Sequence, residues 1–154
     1  MNLFAFTHAP LNLPGKKLAV LGTGKLGGIL LRTYLKKGLF VPSRITATVK
    51  HVERAAILEK QLQVAVSADN REAVRGADII LLAVKPKSVA EVLQEIACEI
   101  SAQSLLVSVA ASVPTSYLEQ QFTTASGCDY KELAIVRAMP NTPAPRRLWD
   151  DGDL

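Results

Sequence analysis

The chain has 154 residues, of which 49% are hydrophobic and 21% are charged, and its formal net charge is +4 at pH 7. This length accommodates one α/β domain, and no apolar run approaches the roughly 20 residues that a membrane-spanning helix needs. The opening segment lacks the basic region of a secretory signal, so we expect a cytoplasmic protein. Lysines and arginines are scattered rather than interleaved with aromatic residues, and we therefore expect no nucleic-acid partner.

Short apolar segments alternate with amphipathic segments along most of the sequence. The apolar, β-branched segments predict six strands, at 18–21, 45–49, 63–66, 79–83, 105–109 and 133–137. The segments between them predict helices at 26–37, 52–61, 71–75, 88–100 and 115–121. Gly38 is expected to cap the first helix at its C-terminus, and Asn70 to cap the third helix at its N-terminus.

The segment after the first predicted strand contains the pattern Gly-x-Gly-x-x-Gly, formed by Gly22, Gly24 and Gly27. A strand, this pattern and a helix, in that order, are typical of a dinucleotide phosphate site. The first glycine permits a tight turn, the second lets the backbone approach a pyrophosphate, and the third lets the helix pack close to the strand. Free N–H groups at the start of the helix then face the anion. A glycine-rich turn without a ligand is the alternative.

The alternation of strands and helices predicts an α/β fold of the Rossmann type. We expect a doubly wound, mostly parallel six-stranded sheet with helices on both faces and a ligand at the carboxyl ends of the strands. Residues 1–16 are expected to form an N-terminal extension, residues 17–143 the NAD(P)-binding domain, and residues 144–154 a tail or a truncated connection.

The end of the second predicted strand bears on which dinucleotide the site takes. An NAD site carries an acidic residue about 20 residues beyond the glycines, whereas Thr48-Val49-Lys50-His51 has no carboxylate and the next one is Glu53. A hydroxyl followed by Lys50 and Arg54 suits the 2′-phosphate of NADP. NADP(H) is therefore the preferred cofactor and NAD(H) the alternative. Exposed surface cations at a helix start would give the same pattern.

Three further loops are expected at the same crevice, because each follows a strand. The first carries a lysine before a proline, the second two small residues, and the third polar residues held between prolines. These residues are Ala83, Val84, Lys85 and Pro86, then Ala110 and Ala111, then Asn141, Thr142 and Pro143. Lys85 is a candidate acid or a charge against ribose hydroxyls, and the extended turn before a proline explains its position as well.

The cysteines and histidines indicate neither a metal centre nor a catalytic triad. Cys98 and Cys128 lack the spacing of metal ligands, and we expect buried or unreactive thiols. His8 and His51 have no serine, cysteine or carboxylate neighbour of the kind that a triad needs, and we expect both at the surface. The sequence thus predicts no metal and leaves the catalytic residues unassigned.

Four segments together resemble the pyrroline-5-carboxylate reductases, which make proline with NAD(P)H. The segments are LGTGKLGG at 21–28, ADIILLAVKP at 77–86, VSVAA at 107–111 and VRAMPNTP at 136–143. The last segment is quite specific, whereas many dehydrogenases share the glycine pattern. The resemblance extends from about Lys17 to Pro143.

The resemblance implies a role for each loop and a reaction. The pyrophosphate would contact Gly22, Thr23, Gly24, Lys25 and Leu26 beside Gly27. The adenosine phosphate would contact Thr48, Val49 and Lys50. The adenosine ribose region would contact Asn70. The nicotinamide ribose would lie near Ala83, Val84, Lys85 and Pro86, and the hydride-transfer end near Ala110, Ala111, Asn141, Thr142 and Pro143. The implied reaction transfers hydride from the nicotinamide to the C=N carbon of 1-pyrroline-5-carboxylate and gives L-proline.

Members of that family continue past the last motif into a helical C-terminal domain that forms a homo-oligomer and most of the substrate pocket. This sequence has eleven residues after Pro143. The resemblance therefore implies that the chain supplies the cofactor-binding domain and is weakly active or inactive alone. The alternative is a non-catalytic NADP-binding module that senses redox state or binds a partner protein.

Overall fold

A computed structural model describes residues 13–124 and 133–140. In this part of the chain a six-stranded sheet has the order β3-β2-β1-β4-β5-β6, and every neighbouring pair is parallel. The strands are β1 (Leu18–Leu21), β2 (Ile45–Thr48), β3 (Ala65–Ser67), β4 (Ile79–Leu82), β5 (Leu105–Ser108) and β6 (Ala134–Arg137). The predicted Rossmann-type fold is confirmed. Because the strand order reverses at β1, a crevice opens at the carboxyl ends of β1 and β4.

Five α-helices occur among the described residues, and none of them is long and apolar enough to cross a membrane. They are α1 (Lys25–Lys36), α2 (Val52–Leu62), α3 (Asn70–Val74), α4 (Val89–Ile96) and α5 (Thr115–Thr124). Each predicted strand and helix is present. The largest difference is at α4, which ends at Ile96 and continues as a 3-10 turn over Ala97–Glu99 instead of extending to residue 100.

The C-terminus of α1 has the predicted glycine cap. Gly38 has a φ of +63°, a left-handed conformation that glycine adopts without strain. The N–H of Leu39 then donates to the carbonyl of Tyr34 at 3.0 Å, which satisfies one of the last carbonyl groups of the helix.

The N-terminus of α3 differs from the prediction. Asp69, and not Asn70, is the capping residue, because its carboxylate accepts a hydrogen bond from the N–H of Glu72 at 3.1 Å. Asn70 is the first residue of the helix, and its side-chain amide donates to Oε2 of Glu95 at 2.9 Å. The prediction for Asn70 as a cap was wrong because aspartate and asparagine cap helices about equally well, so adjacent candidates are not distinguished by residue type.

Apolar side chains form a core on each face of the sheet. One core lies between α1, α2 and the strand residues Leu18, Val20, Ile45 and Ala47. The other lies between α3, α4, α5 and the strand residues Ala19, Leu21, Ile80, Leu82 and Leu106. Helices therefore lie on both faces, as predicted, and the two cores hold the carboxyl ends of β1 and β4 in fixed positions.

On the face of α1 and α2, burial decreases from the centre of the sheet towards β6. Val20, Leu81, Val107 and Val136 lie side by side in register on β1, β4, β5 and β6. The exposed fraction is 0% at Val20 and 2% at Leu81, but 48% at Val136. The described helices of this face pack beside β1 and β3, so they leave the β6 end of the face uncovered.

The predictions for cysteine and histidine have different outcomes. Cys98 lies in the turn after α4, is exposed and is disulfide-bonded, so the expectation of a buried or unreactive thiol was wrong for this residue. His51 is exposed, as expected. Cys128 and His8 lie outside the described residues.

Candidate dinucleotide-binding site

Two glycines of the Gly-x-Gly-x-x-Gly pattern are required by local geometry: Gly22 in the loop after β1 and Gly27 in the first turn of α1. Gly22 has a φ of +87°, and a Cβ atom there would lie 2.8 Å from Cγ1 of Val84. A Cβ atom at Gly27 would overlap the carbonyl oxygen of Gly22 and lie 3.1 Å from Cβ of Ala83. These glycines therefore let the start of α1 pack directly against the loops that follow β1 and β4.

Gly24, the second glycine of the pattern, has a different environment. Gly24 is the residue before α1, is exposed, and has an extended conformation that any residue can adopt. A Cβ atom at this position would have no neighbour within 4 Å. A side chain at this position would occupy open space at the positive end of the α1 dipole, and we call this space the cradle. Such a cradle suits a pyrophosphate, whose oxygens accept hydrogen bonds from the first N–H groups of a helix.

Two threonines fix the glycine loop to the end of β2. The N–H and the hydroxyl of Thr23 both donate to the carbonyl of Thr48, at 2.8 Å and 2.9 Å. The hydroxyl oxygen of Thr48 accepts a hydrogen bond from the N–H of Gly22 at 3.2 Å. Both side chains are buried. The structure thus places the Thr48 hydroxyl under the loop, where it supports the backbone of the phosphate cradle.

Hydroxyl side chains end three of the strands and support the loops of the crevice in the same way. Thr48 ends β2, Ser67 ends β3 and Ser108 ends β5. The side chain of Ser67 accepts from the N–H of Asp69 at 3.0 Å, and that of Ser108 accepts from the N–H of Ala110 at 3.3 Å. Sequence reasoning did not identify Ser67 or Ser108. The signal that could have found them is a serine or threonine at the last position of an apolar strand.

The other predicted residues of the second strand separate into core and surface positions. Val49 is buried in the core beneath α1 and α2, and its N–H donates to the carbonyl of Ser67 at 3.0 Å. Lys50 follows it and is exposed. Of the three residues predicted near the adenosine phosphate, Lys50 is therefore the one whose side chain lies at the surface.

The loops after β4 and β5 lie at the same edge of the sheet as the glycine loop. The N–H of Ala83 donates to the carbonyl of Leu21 at 2.9 Å, which holds the start of the β4 loop against β1. Val84 is half-buried, whereas Lys85 and Pro86 are exposed. After β5, Ala110 is buried and Ala111 is exposed. The remaining predicted site residues, Asn141, Thr142 and Pro143, lie outside the described residues.

Lysines follow three adjacent strands at this edge. Lys25 begins α1 after β1, Lys50 follows β2, and Lys85 follows β4, and all three are exposed. No acidic residue occurs in the first turn of α1. The positive field of these side chains adds to that of the helix N-terminus and favours an anionic ligand.

The predicted adenosine side of the site contains polar contacts that the sequence did not show. An open depression at the carboxyl end of β3 is lined by residues of α2, α3 and α4, including Val52, Arg71 and Glu95. The side-chain amide of Asn70 donates a hydrogen bond to the carboxylate of Glu95, and this hydrogen bond links Asn70 to the depression. Arg71 also contacts Glu95, because its Nε donates to the Glu95 carbonyl at 3.1 Å.

Comparison with known proteins assigns the chain to a family. The family model described as NADP oxidoreductase coenzyme F420-dependent matches residues 17–112. The chain belongs to this family. The matched residues of this chain include the glycine loop and the loops after β4 and β5. The membership supports the predicted cofactor class, NADP(H).

The resemblance to pyrroline-5-carboxylate reductases is also confirmed. The chain is 33% identical over 132 residues to the pyrroline-5-carboxylate reductase of Methanosarcina acetivorans. The aligned region covers 86% of this chain and 46% of that protein. The solved pyrroline-5-carboxylate reductase of Coxiella burnetii has 28% identity and a TM-score of 0.71, over 83% of this chain and 45% of that chain. The Plasmodium falciparum pyrroline carboxylate reductase, solved with NADP bound, has 25% identity and a TM-score of 0.68, over 85% of this chain and 44% of that chain. This family member thus spans a little under half the length of these relatives.

Proposed function

We propose that this chain is the cofactor-binding part of an NADPH-dependent reductase that converts 1-pyrroline-5-carboxylate into L-proline. The observation that carries the proposal is the cradle at Gly24, at the start of α1, in a chain that belongs to an NADP oxidoreductase family and resembles pyrroline-5-carboxylate reductases. The cofactor is NADP(H), and NAD(H) is the alternative.

The described residues would hold the two ends of the dinucleotide on different loops. The N–H groups at Lys25 and Leu26 bind the pyrophosphate beside Gly24. The nicotinamide end lies by the loops after β4 and β5, where the small side chains of Ala110 and Ala111 leave room for a ring. When bound, the reduced nicotinamide supplies a hydride, and the loops of this chain orient its ring and exclude water from one side of it. Asn141, Thr142 and Pro143 are proposed to line the same end.

The substrate pocket is proposed to require more than the described residues. The relatives are about twice as long as the part of them that this chain matches. We therefore expect weak or no reductase activity from this chain alone. A homo-oligomeric assembly, a cytoplasmic location and the absence of a nucleic-acid partner stay predictions.

A second candidate function is a non-catalytic NADP-binding module that binds a partner protein or senses redox state. The exposed side chains near the end of β6 favour it, because Val136 is 48% exposed and Met139 is 75% exposed. Large apolar side chains that are exposed at the edge of a sheet are a feature of interaction surfaces.

Calorimetric titration of the full 154-residue chain tests the proposed function. NADPH and then NADH are added, and 1-pyrroline-5-carboxylate follows in the same cell with absorbance recorded for nicotinamide oxidation. Binding of NADPH is expected, and slow oxidation that depends on the imine supports the reductase. Binding of NADPH without any oxidation at high protein concentration would support the cofactor-binding role that both functions share. No binding of either nucleotide by folded protein would overturn both functions.

A further inference from the structure

The loop after β5 is anchored at both ends and exposes a two-residue turn at the carboxyl edge of the sheet. We name residues 109–114, which join β5 to α5, the β5 loop. Ala110 and Val113 are buried in the core beside α4 and α5, whereas Ala111 and Ser112 between them are exposed. The tip of the loop is therefore held from both sides by the core of the fold.

The first position at which this loop has an unfavourable conformation or environment is Ser108, the last residue of β5. It lies in register between Leu82 of β4 and Arg137 of β6 and is fully buried. A buried hydroxyl beside an apolar side chain is unfavourable unless it forms a hydrogen bond. The hydroxyl oxygen of Ser108 accepts from the N–H of Ala110 at 3.3 Å, and its carbonyl accepts from the N–H of Ala138 at 2.9 Å. Ser108 thus joins the start of the β5 loop to the end of β6.

The second such position is Ser112, at the tip of the loop. Its φ of +60° is a left-handed conformation, which is unfavourable for residues other than glycine. Within the described part of the chain, the other non-glycine residue with a positive φ is Gln63, where the left-handed residue ends α2. Ser112 ends no helix, so helix capping does not explain its conformation. Backbone strain of this kind is concentrated at binding and catalytic sites.

The β5 loop lies on the nicotinamide side of the proposed dinucleotide site. In the sheet, β2 and β3 lie on one side of β1, and β4 and β5 lie on the other. A pyrophosphate at the start of α1 therefore directs one half of the dinucleotide towards β3 and the other half towards β5. Neighbouring strands are about 4.8 Å apart, so two strand spacings bring the β5 loop to about 10 Å from the glycine loop. The nicotinamide half spans such a distance.

We infer that Ser108 and Ser112 are positioning residues that preset the β5 loop for the nicotinamide half of the cofactor. The inference rests on the proposed function, since it concerns the same dinucleotide. Neither hydroxyl needs to touch the ligand, because Ser108 fixes the backbone of Ala110 and the left-handed conformation of Ser112 turns the chain at the exposed tip. A loop that is ordered before binding loses little further conformational entropy, so the nicotinamide half binds more tightly.

The test compares two ligands of the full chain: NADPH, and adenosine 2′,5′-bisphosphate, which lacks the nicotinamide half. Ser108→Ala is expected to weaken NADPH binding about fivefold and adenosine 2′,5′-bisphosphate binding less than about twofold. The change in nicotinamide fluorescence on binding of NADPH should also become smaller in this variant.

Ser104→Ala is the matched control. Ser104 is buried as well, and its hydroxyl donates to the carbonyl of Ala77 at 2.7 Å, but it lies before the amino end of β5. This variant is expected to melt at a lower temperature than the wild type without a change in the ratio of the two affinities.

Two substitutions at Ser112 separate its backbone conformation from its hydroxyl. Ser112→Gly removes the hydroxyl but adopts the left-handed conformation readily, so its NADPH affinity should stay within about twofold of the wild type. Valine is β-branched and disfavours this conformation, so Ser112→Val should weaken NADPH binding about fivefold. Binding of adenosine 2′,5′-bisphosphate should stay within about twofold in both variants.

The outcomes separate this inference from the proposed function. Equal losses for the two ligands, or no loss for either, in folded Ser108→Ala and Ser112→Val would overturn the positioning role while the dinucleotide site stands. A selective loss of NADPH affinity in Ser104→Ala would also overturn it, since that result would reflect general destabilisation. If Ser108→Ala did not fold, the pair at Ser112 would decide, and equal losses in Ser112→Gly and Ser112→Val would count against the inference. If the wild type bound neither ligand, the proposed function would fail and this inference with it.

Discussion

The hydroxyl oxygen of Thr48 accepts a hydrogen bond from the N–H of Gly22 at 3.2 Å and so joins the end of β2 to the first glycine of the loop after β1. The carbonyl of the same threonine accepts two more hydrogen bonds from Thr23. Three hydrogen bonds from two consecutive loop residues thus converge on one residue of the neighbouring strand. Because Thr48 is only 2% exposed, water cannot replace these contacts.

Thr48→Val is expected to weaken the binding of NADPH and NADH by the same factor. Valine keeps the shape of threonine but leaves the N–H of Gly22 without its partner, at a cost of about 1–2 kcal/mol in the free energy of unfolding. Urea denaturation and calorimetric titration measure the two effects. Thr46→Val is the control, because Thr46 lies on the same strand and makes no side-chain hydrogen bond within the described residues. A loss confined to NADPH would contradict the supporting role and indicate direct contact with the 2′-phosphate.

Gly24→Ala and Gly27→Ala are expected to separate ligand binding from folding. A methyl group at Gly24 meets no protein atom within 4 Å, so the free energy of unfolding should stay within about 0.5 kcal/mol of the wild type. The same methyl group would occupy the pyrophosphate cradle and lower NADPH affinity at least about tenfold. At Gly27 it would overlap the backbone oxygen of Gly22, which should cost about 1–3 kcal/mol.

Thermal melting and NADPH titration of both variants check these expectations. Unchanged NADPH affinity in a folded Gly24→Ala variant would remove the site from this loop. A Gly27→Ala variant as stable as the wild type would show that α1 can move away from the β1 loop at little cost.

The central strands of this fold could be predicted from the sequence because parallel strands in the middle of the sheet are buried on both faces. β1 and β4 therefore consist entirely of apolar residues. The Gly22–Gly27 pattern could be predicted for a related reason, since a tight turn and a close helix contact both exclude side chains. These signals depend on backbone geometry and on local sequence alone.

The directions of polar side chains could not be predicted in the same way. A hydroxyl at the end of a strand donates to a ligand or accepts from a neighbouring loop, and Thr48 does the second because β2 lies beside β1. Arg32 lies eight residues beyond Gly24 and has the pattern of an ordinary exposed helix residue. Only the packing of α1 beside α2 places it in a groove that Arg54 also lines.

Asp78→Asn is expected to remove a pH-dependent part of the stability. The hydrogen bond from the N–H of Lys17, at 2.8 Å, is the main reason why the pKa of Asp78 is below its usual value of 3.8, and Lys16 at 3.2 Å adds to it. A lowered carboxyl pKa stabilises the folded state above pH 3.8, and the contribution is lost as the pH falls through the folded-state pKa. The melting temperature of the wild type should therefore exceed that of Asp78→Asn at pH 7 and approach it near pH 3.

Glu119→Gln controls for the loss of one surface carboxylate, because Glu119 is exposed on α5. The wild type and this control are compared at the same two pH values. A difference between the wild type and Asp78→Asn that stayed constant from pH 7 to pH 3 would show that the carboxylate charge of Asp78 contributes nothing to folding.

Val20→Ala and Val136→Ala are expected to differ strongly, although both valines lie in the same row of one sheet face. Val20 is fully buried beneath the α1 and α2 core, so its truncation should cost about 2–3 kcal/mol in the free energy of unfolding. Val136 is 48% exposed, and its truncation should cost less than about 1 kcal/mol. Urea denaturation measures both values. A comparable loss at Val136 would mean that another segment or another chain covers the β6 end of this face in solution, and the exposed surface on which the module function depends would then not exist.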